Sequence, residues 1–197
     1  MTKKDLLIEM LRENKGYLLT ADVIKAKIPK TYLAEFVKEN NLEHAAHGVY
    51  ISGEIWQDEM FIMSIKHKKI VYSHETALML HGLMEREVAS YSVTVPRGYN
   101  SKMLREKSYR VYTQQFDLYH MGISSIEDDF GNIVPVYDME RTICDIVKSK
   151  KHIDIQIFQT ALKEYTLKKD KNLHNLMKYA QQLNVEEKVR SYIEVLL

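Results

Sequence analysis

The residues of this chain best suited to chemistry are its histidines, and one of them stands next to an acid. His74 and Glu75 are adjacent, as in the His-Glu-x-x-His motif of zinc proteases, but residue 78 is Leu78 and the next histidine is His81. Two histidines seven positions apart share one helical face but lie about two turns apart, too far to bind the same ion. The spacing therefore predicts no catalytic metal.

Motifs for phosphate binding and nucleophilic catalysis are missing from the sequence. The seven glycines form no Gly-x-x-x-x-Gly-Lys, Gly-x-Gly-x-x-Gly or Gly-x-Ser-x-Gly pattern, which excludes phosphate-cradling loops and nucleophile elbows. The single cysteine, Cys144, lies beside Ile143 and near Ile146 in an apolar helical pattern, which is typical of an inert buried thiol. We therefore expect no catalytic residue, no cofactor and no enzymatic activity.

Nucleic-acid binding is the chemistry that the first fifty residues favour. A helix predicted to begin near Lys30 has Leu33, Phe36 and Val37 on its apolar side, which leaves a polar face for a DNA groove. Lysines can neutralise phosphate or reach guanine, and Glu35 could accept from a cytosine amino group. The predicted DNA-binding residues come from this helix, the helix before it and the hairpin after it: Lys25, Lys27, Lys30, Thr31, Tyr32, Glu35, Lys38, His44, His47 and Tyr50.

The positive charge on this face is small. The two histidines add charge only below about pH 6.5, so one copy is expected to bind a duplex weakly and two copies on a two-fold site are needed for useful specificity. A solvated helix face that serves only protein contacts is the alternative interpretation. Tyr32 could equally pack against the hairpin.

A denser basic segment lies in the middle of the chain. Residues 97 to 110 hold five cations and one acid, Glu106, a net charge of +4. These cations are candidate contacts of the C-terminal domain for DNA or a partner: Arg97, Lys102, Arg105, Lys107 and Arg110. A solvated loop or helix end is the alternative interpretation of such a run.

Composition limits the class of protein. The chain has 197 residues, of which 45% are hydrophobic and 28% charged, and its formal net charge is +1. One or two folded domains are expected, and a general attraction to polyanions is excluded as a driving force. No signal-peptide pattern opens the sequence, and no apolar run reaches the roughly 18 residues of a membrane span. We therefore predict a cytoplasmic protein with no membrane partner.

Periodicity and turn signals predict the elements that position these residues. Three short helices and a small hairpin in the first fifty residues stand in the order of a winged helix-turn-helix. The predicted fold class is α+β: this N-terminal winged helix (residues 1–54), then a larger mixed α/β domain (residues 55–197). The second domain is expected to contain a small, mainly antiparallel sheet and C-terminal helices.

Three local predictions concern helix and strand assignment. The short second helix should turn Val23 and Ile24 inward. A helix over residues 55 to 68 includes Trp56 among apolar residues that cover most of its circumference, so it should be buried. Residues 118 to 126 are β-branched and aromatic and are predicted to form a strand.

The polar segment from Asp138 has two interpretations. One makes Asp138, Glu140, Arg141 and Asp145 a polar site for a partner or substrate. The other, which we favour, has Asp138 capping a helix and Arg141 pairing with Asp145 at i, i+4, a pair that contributes only about 0.2 to 0.5 kcal/mol when exposed.

Four stretches together resemble a known family, the AbiEi antitoxins of type IV toxin–antitoxin systems for abortive infection. The stretches are LLTADVIKAKIPKTYLAEFVKENNLEHAAHGVY, which ends in the wing sequence Gly48-Val49-Tyr50, then SHETALMLHGL from Ser73, VTVPRGY and PVYDMERTICDIV. The resemblance spans about residues 2 to 150. One departure is that no arginine lies between Arg12 and Arg86, whereas members of the family have a more arginine-rich recognition helix and wing.

The resemblance implies a repressor that doubles as an antitoxin. Its winged helix would bind double-stranded DNA at inverted repeats in its own promoter, and it would associate with itself at least on that DNA. Its C-terminal domain would neutralise a cognate nucleotidyltransferase-like toxin, without needing a stable complex, and would assist cooperative DNA binding. The alternative is a protein-interaction module that binds the toxin directly, without specific DNA recognition.

Overall fold

The computed structural model describes residues 2–53 and 55–196 and divides the chain into two compact units. Unit 1 comprises Met1–Lys66 and Asp129–Asn132, and unit 2 comprises His67–Asp128 and Ile133–Leu197. The boundary thus falls after Lys66 instead of at the predicted residue, Glu54, which itself lies outside the described residues. We predicted that the apolar stretch after the hairpin belongs to the second domain, whereas its residues up to Lys66 belong to unit 1. Composition does not say which core such a stretch joins.

The elements of unit 1 are α1 (Lys3–Glu13), β1 (Tyr17–Leu19), α2 (Thr20–Lys25), α3 (Lys30–Glu39), β2 (Glu43–Ala46), β3 (Val49–Ile51) and α4 (Glu59–Lys66). Helix α1 begins with a capping box, in which Thr2 and Asp5 exchange hydrogen bonds between side chain and backbone. Strand β3 lies between β1 and β2 and is antiparallel to both. Three helices and a hairpin therefore stand in the predicted order.

The core of unit 1 forms around the predicted apolar stripes. Buried residues from α1, β1, α2, α3 and the turn before α3 make one cluster: Leu7, Leu18, Val23, Ile28, Leu33 and Phe36. A second cluster joins the sheet to α4 through Tyr17, Val49, Ile51 and Ile62. The prediction for Ile24 is wrong, because its side chain is 49% exposed. Helix α2 has only six residues, so its inward face is one residue wide and Val23 fills it.

The helix after the hairpin is shorter than predicted. It begins at Glu59, where the carboxylate of Asp58 accepts a hydrogen bond of 3.0 Å from the backbone N–H of Phe61, as N-cap residues do. Trp56 therefore precedes the helix and is 85% exposed, in contrast to the buried position that the apolar pattern indicated.

The elements of unit 2 are β4 (Val71–Tyr72), α5 (His74–Leu80), β5 (Ser92–Pro96), α6 (Lys102–Glu106), β6 (Arg110–Gln114), α7 (Phe116–His120), β7 (Ile123–Glu127), β8 (Ile133–Tyr137), α8 (Met139–Lys148), a 3₁₀ turn (Lys150–His152), α9 (Ile155–Leu167), α10 (Leu173–Gln182) and α11 (Glu186–Leu196). The fold is thus mixed α+β, with C-terminal helices as predicted.

The sheet of unit 2 has the strand order β6-β5-β4-β8-β7. The pairs β4–β5 and β7–β8 are antiparallel, whereas β5–β6 and β4–β8 are parallel. The prediction of a mainly antiparallel sheet therefore holds for only half of the pairings. For the β5–β6 pair, the crossover that a parallel pair requires contains α6, a short helix that was not predicted.

The predicted strand over residues 118 to 126 is wrong in its first part. Residues up to His120 belong to α7, and β7 begins only at Ile123. Gly122 separates the two elements with a left-handed φ of 77°, which a glycine adopts without strain. Strand propensity of aromatic residues was outweighed here by their packing in unit 2.

The four C-terminal helices, α8 to α11, bury apolar residues in a common core. The core they share with α5 includes Leu78, Ile143, Phe158, Leu162, Tyr165, Leu176, Ala180, Val189 and Ile193. Cys144 is a fully buried thiol in the same core, as predicted. Over residues 2–53 and 55–196, every helix is too short or too polar to cross a bilayer.

Candidate nucleic-acid interface

The turn before α3 fixes how this helix is presented. Lys27, two residues after the end of α2, lies in the left-handed region, with a φ of 59°. The next residue, Ile28, is buried in the core of unit 1. Pro29 then takes an extended conformation as the N-cap of α3, and a proline at that position disfavours a continuous helix through the turn. The turn thus anchors the start of α3, and the outer face of α3 stays in solvent.

Eight of the ten predicted DNA-binding residues are exposed. They lie on α2, on the turn after it, on α3 and on the β2–β3 hairpin: Lys25, Lys27, Lys30, Thr31, Glu35, Lys38, His44 and His47. Because Leu33 and Phe36 are buried and Val37 is partly buried, the apolar stripe of α3 faces the core as predicted. The polar face of α3 is therefore open to a partner.

The two predicted tyrosines are partly buried instead. Tyr32 packs against the core of unit 1, with the Lys3 ammonium 5.8 Å from its ring centroid. Tyr50 packs against the same core and meets His44 edge to face, with their ring centroids 5.4 Å apart. Both rings pack under the exposed polar residues, and a duplex could contact only the part of each ring that is exposed.

Helix α1 contributes two cations that the sequence reasoning missed. Lys3 lies over Tyr32, and Lys4 forms an exposed ion pair of 3.0 Å with Glu39 at the end of α3. This hydrogen bond and the charge of Glu39 raise the pKa of Lys4. No spacing rule links positions that far apart in the chain, so only the packing of α1 against α3 reveals the contribution. The pairing leaves Glu35 as the exposed acid in the middle of the α3 face.

Hydrogen bonds join the β2–β3 hairpin to the start of α2 and to Gln57. The N–H of Thr20, which begins α2, donates to the carbonyl of Gly48 in the hairpin turn at 2.9 Å. Gly48 has a left-handed φ of 75°. The Gln57 side chain also donates to the carbonyl of Ala45 on β2 at 3.0 Å. The hairpin that carries His44 and His47 is thus fixed to α2 rather than projecting alone.

The five cations of the basic segment, residues 97 to 110, do not all have the same surroundings. Arg97, Lys102, Arg105 and Lys107 are exposed, and Lys102 lies 3.9 Å from Glu106. Arg110 pairs with the nearly buried carboxylate of Glu75, whose charge is the main cause of a raised pKa for Arg110. Arg110 is therefore held within unit 2, whereas Arg97, Arg105 and Lys107 extend into solvent.

The polar segment from Asp138 has the structural role that the sequence favoured. Asp138 caps α8 by accepting from the backbone N–H of Arg141 at 2.7 Å, and Arg141 pairs with Asp145 at 3.1 Å. Both predictions are confirmed, but the pair is buried instead of exposed. The Arg141 guanidinium also donates to the carbonyls of Leu118 and Met121, so it joins α8 to the α7 region.

Glu140 links three C-terminal helices in the same way. Its carboxylate accepts from the Tyr165 hydroxyl of α9 at 3.1 Å and from the backbone N–H of Asn172, which caps α10, at 2.7 Å. Burial raises the pKa of Tyr165, and the charge of Glu140 adds to the shift. These acids are therefore occupied in holding unit 2 together.

The two histidines of the rejected zinc motif have separate partners. His74 is buried with a left-handed φ of 51°, stacks on the Tyr112 ring at 3.4 Å and places Nε2 3.2 Å from the Ser149 hydroxyl. Burial, followed by the charges of Arg141 and Arg110, lowers the pKa of His74 to about 3. His81 donates from Nε2 to the Tyr137 carbonyl at 2.7 Å. His74 is thus a neutral, tightly packed core residue.

Comparisons with known proteins support the fold class. No family model matches the chain, and no curated protein matches it. Among solved structures, the chain is similar to the crystal structure of RV2827C protein from Mycobacterium tuberculosis, with a TM-score of 0.60 and 9% sequence identity. The match covers 96% of this chain and 79% of that chain. At this identity, the likeness shows a shared mixed α+β fold alone.

Proposed function

We propose that the protein is a DNA-binding repressor of its own operon and the antitoxin of a type IV abortive-infection system, as its resemblance to the AbiEi antitoxins implies. The observation that carries the proposal is the exposed polar face of α3, together with the β2–β3 hairpin that follows it in the chain. We interpret unit 1 as a winged helix-turn-helix, in which α2 and α3 form the motif, α3 lies in the major groove and the hairpin is the wing.

The charges around α3 support weak but usable phosphate binding. Lys25, Lys27, Lys30 and Lys38 are exposed on α2, α3 and the turn between them. With so few cations, one copy would contact few phosphates. Each contact makes the slope of log affinity against log salt concentration steeper by about 0.9. Two copies on an inverted repeat would double the contacts, with half-sites about 34–36 Å apart.

A titration of the full chain with its own promoter tests the repressor proposal. We expect a duplex that carries the operon's inverted repeat to bind at submicromolar protein and to lose affinity steeply with added salt. A scrambled duplex of the same length is the control. Equal affinity for the two duplexes would rule out specific repression.

Growth of cells that express the cognate nucleotidyltransferase-like toxin tests the antitoxin proposal. We expect co-expression of the full chain to restore growth. Failure to restore growth, with both proteins present at normal levels, would remove the antitoxin role and leave the repressor role to be judged by the promoter titration.

A groove in unit 2 favours the second candidate, a module that binds the toxin directly. It has a volume of about 420 Å³ and lies between α9 and α11, lined by apolar residues that include Ile155, Leu162, Tyr192 and Val195. Val195 is 85% exposed, and exposed apolar patches mark interaction surfaces. Co-elution of the chain with the toxin on a sizing column, together with absent promoter binding, would favour this candidate.

A further inference from the structure

A second basic surface of the molecule is a pocket at one edge of the unit 2 sheet. It has a volume of about 570 Å³, and we call it the basic–aromatic pocket. The residues that characterise it are Lys68, Lys69, Arg97, Tyr99, Phe116 and His120. All of them belong to unit 2, and only Arg97 was among the predicted contacts.

The position of the pocket follows from the sheet topology. Strands β5 and β6 are parallel, and Pro96 pairs with Gln114 where both strands end. The segments that follow these strands contribute Arg97 and Phe116, while Lys69 precedes β4, which is antiparallel to β5. Ligands of open α/β sheets bind outside the carboxyl ends of parallel strands, and this pocket lies at such an edge.

Hydrogen bonds fix the walls of the pocket. The N–H of Arg97 donates to the carbonyl of Gln114 at 2.7 Å, which continues the pairing beyond β5. The Tyr99 hydroxyl lies 2.8 Å from Nδ1 of His67, and the Tyr119 hydroxyl donates to the Lys69 carbonyl at 3.0 Å. The pocket is therefore preformed, as ligand sites usually are.

The polar groups at the rim are cationic. Lys68, Lys69 and Arg97 are exposed, so each can turn its charge into the pocket. Among the described residues, those that line the pocket include neither Asp nor Glu. Three cations without a competing carboxylate match a phosphate group, which accepts charge-assisted hydrogen bonds from Lys and Arg.

An unusually exposed aromatic ring completes the site. The Phe116 side chain is 69% exposed at the start of α7, and His120 contacts it edge to face with ring centroids 4.5 Å apart. The contact holds the ring in place and leaves much of it in solvent. An aromatic face beside cations is the combination that proteins use to stack a base next to its phosphate.

We infer that the basic–aromatic pocket binds a nucleotide, with the phosphate on Lys68, Lys69 and Arg97 and the base stacked on Phe116. The volume fits, because small-molecule sites range from about 300 to 1,000 Å³. A free nucleoside phosphate and the unpaired end of a nucleic-acid strand both supply this chemistry. The inference is independent of the proposed function, which concerns α3 of unit 1 and an intact duplex.

Calorimetric titration of the full chain tests the inference with two probes, ATP and a 5′-phosphorylated single strand of six thymidines. We expect at least one probe to bind with a submillimolar dissociation constant. Phe116→Ala should weaken that binding about tenfold through lost stacking. Lys69→Ala should weaken that binding several-fold. For the strand, it should also reduce the slope of log affinity against log salt concentration by about 0.7, as expected for one lost phosphate contact.

Two substitutions outside the pocket are matched controls. Leu167→Ala removes an apolar side chain that is 66% exposed, and Lys178→Ala removes an exposed cation. Both should bind the probes like the wild type. Melting temperatures of all four variants check that each is folded, which is expected because none of the four side chains is buried.

The outcomes separate the two sources. Binding of ATP, weakened in Phe116→Ala and Lys69→Ala, assigns a free nucleotide, and the same result with the strand alone assigns a strand end. No binding of either probe at millimolar concentration, or unchanged affinity in both pocket variants, would overturn the inference. Promoter binding measured on the same proteins tests the proposed function separately.

Discussion

Helices α3 and α8 carry similar residue types in opposite surroundings. On α3, Lys30, Glu35 and Lys38 are exposed, whereas on α8 Arg141 and Asp145 are buried. The first set can meet a partner without rearrangement, and the second set is paired inside its own unit. A charged pattern on a helix thus indicates a binding surface only when the helix is covered on one side.

The number of packed sides explains the contrast. Helix α3 has one apolar stripe, and its other face meets solvent. Helix α8 is packed by α5, α9 and α10, so residues all around it are buried. Its charged groups had to be paired inside unit 2, because an unpaired buried charge is strongly destabilising.

The largest effect is expected for Arg141→Ala. Removing the guanidinium leaves the buried carboxylate of Asp145 without its partner, which should lower the free energy of unfolding by about 3–5 kcal/mol. Urea denaturation measures the loss. The matched control is Arg190→Ala, which breaks an exposed i, i+4 pair with Glu186 and should cost less than about 1 kcal/mol. Similar losses in the two variants would contradict the contrast between buried and exposed charges.

The second prediction concerns pH and His74. Its pKa in the folded protein is about 3, against about 6.5 in an unfolded chain, so the unfolded state binds the extra proton between these values. The stabilising contribution of neutral His74 is complete above about pH 6.5 and is lost as pH falls. The loss is roughly 1.4 kcal/mol per pH unit, or about 2 kcal/mol by pH 5. Urea denaturation from pH 7.5 to 5 measures it.

The control for this pH dependence is His74→Asn, because asparagine tolerates the left-handed φ of this position. It should be less stable at neutral pH and show a flatter profile. Burial raises the pKa of Asp145 and of Asp138, so these carboxyls favour the folded state as they take up protons at lower pH. An equally steep profile in His74→Asn would remove His74 as the cause.

The third prediction concerns the exposed face of α3. Lys30→Ala with Lys38→Ala should weaken promoter binding by about tenfold or more, since a specific contact contributes roughly 1–3 kcal/mol. Stability should change by less than about 0.5 kcal/mol. Lys163→Ala with Lys178→Ala removes two exposed cations of unit 2 and is the control. If both double variants bind the promoter alike, the interface lies elsewhere.

The smallest effect is expected for Arg105→Ala with Lys107→Ala. Losing up to two phosphate contacts should reduce the slope of log affinity against log salt concentration by at most about 2. The affinity for the promoter should fall only a few-fold. Arg110 is left intact because it pairs with Glu75. A wild-type salt dependence, measured by anisotropy at several salt concentrations, would show that this basic segment is only a solvated surface.

The sequence predicted elements well where one apolar stripe decides the packing. Leu33 and Phe36 on α3 are buried as expected. It failed where a residue's surroundings come from distant elements. Ile24 points to solvent because the core beside α2 has room for one side chain.

The candidate site was only partly predictable. The exposed residues of α2 and α3 follow from their helical period, since the apolar stripe fixes the opposite face. Lys4 could not be placed beside Glu39 from spacing, and spacing does not show that Phe116 and Lys69 line one pocket. Tertiary packing alone brings these residues together. The role of the DNA-binding residues stays a prediction.

The position of residues 129 to 132 matters for anyone who divides the gene into separately expressed pieces. These four residues belong to unit 1, where the Asn132 amide donates to the buried carboxylate of Asp58 at 2.7 Å and the Gly131 carbonyl accepts from Lys15. A fragment that stops at residue 66 would lose both of these hydrogen bonds. Such a fragment should be less stable than unit 1 in the intact chain. A short peptide with the sequence of residues 129 to 132, fused to the fragment, could restore these contacts.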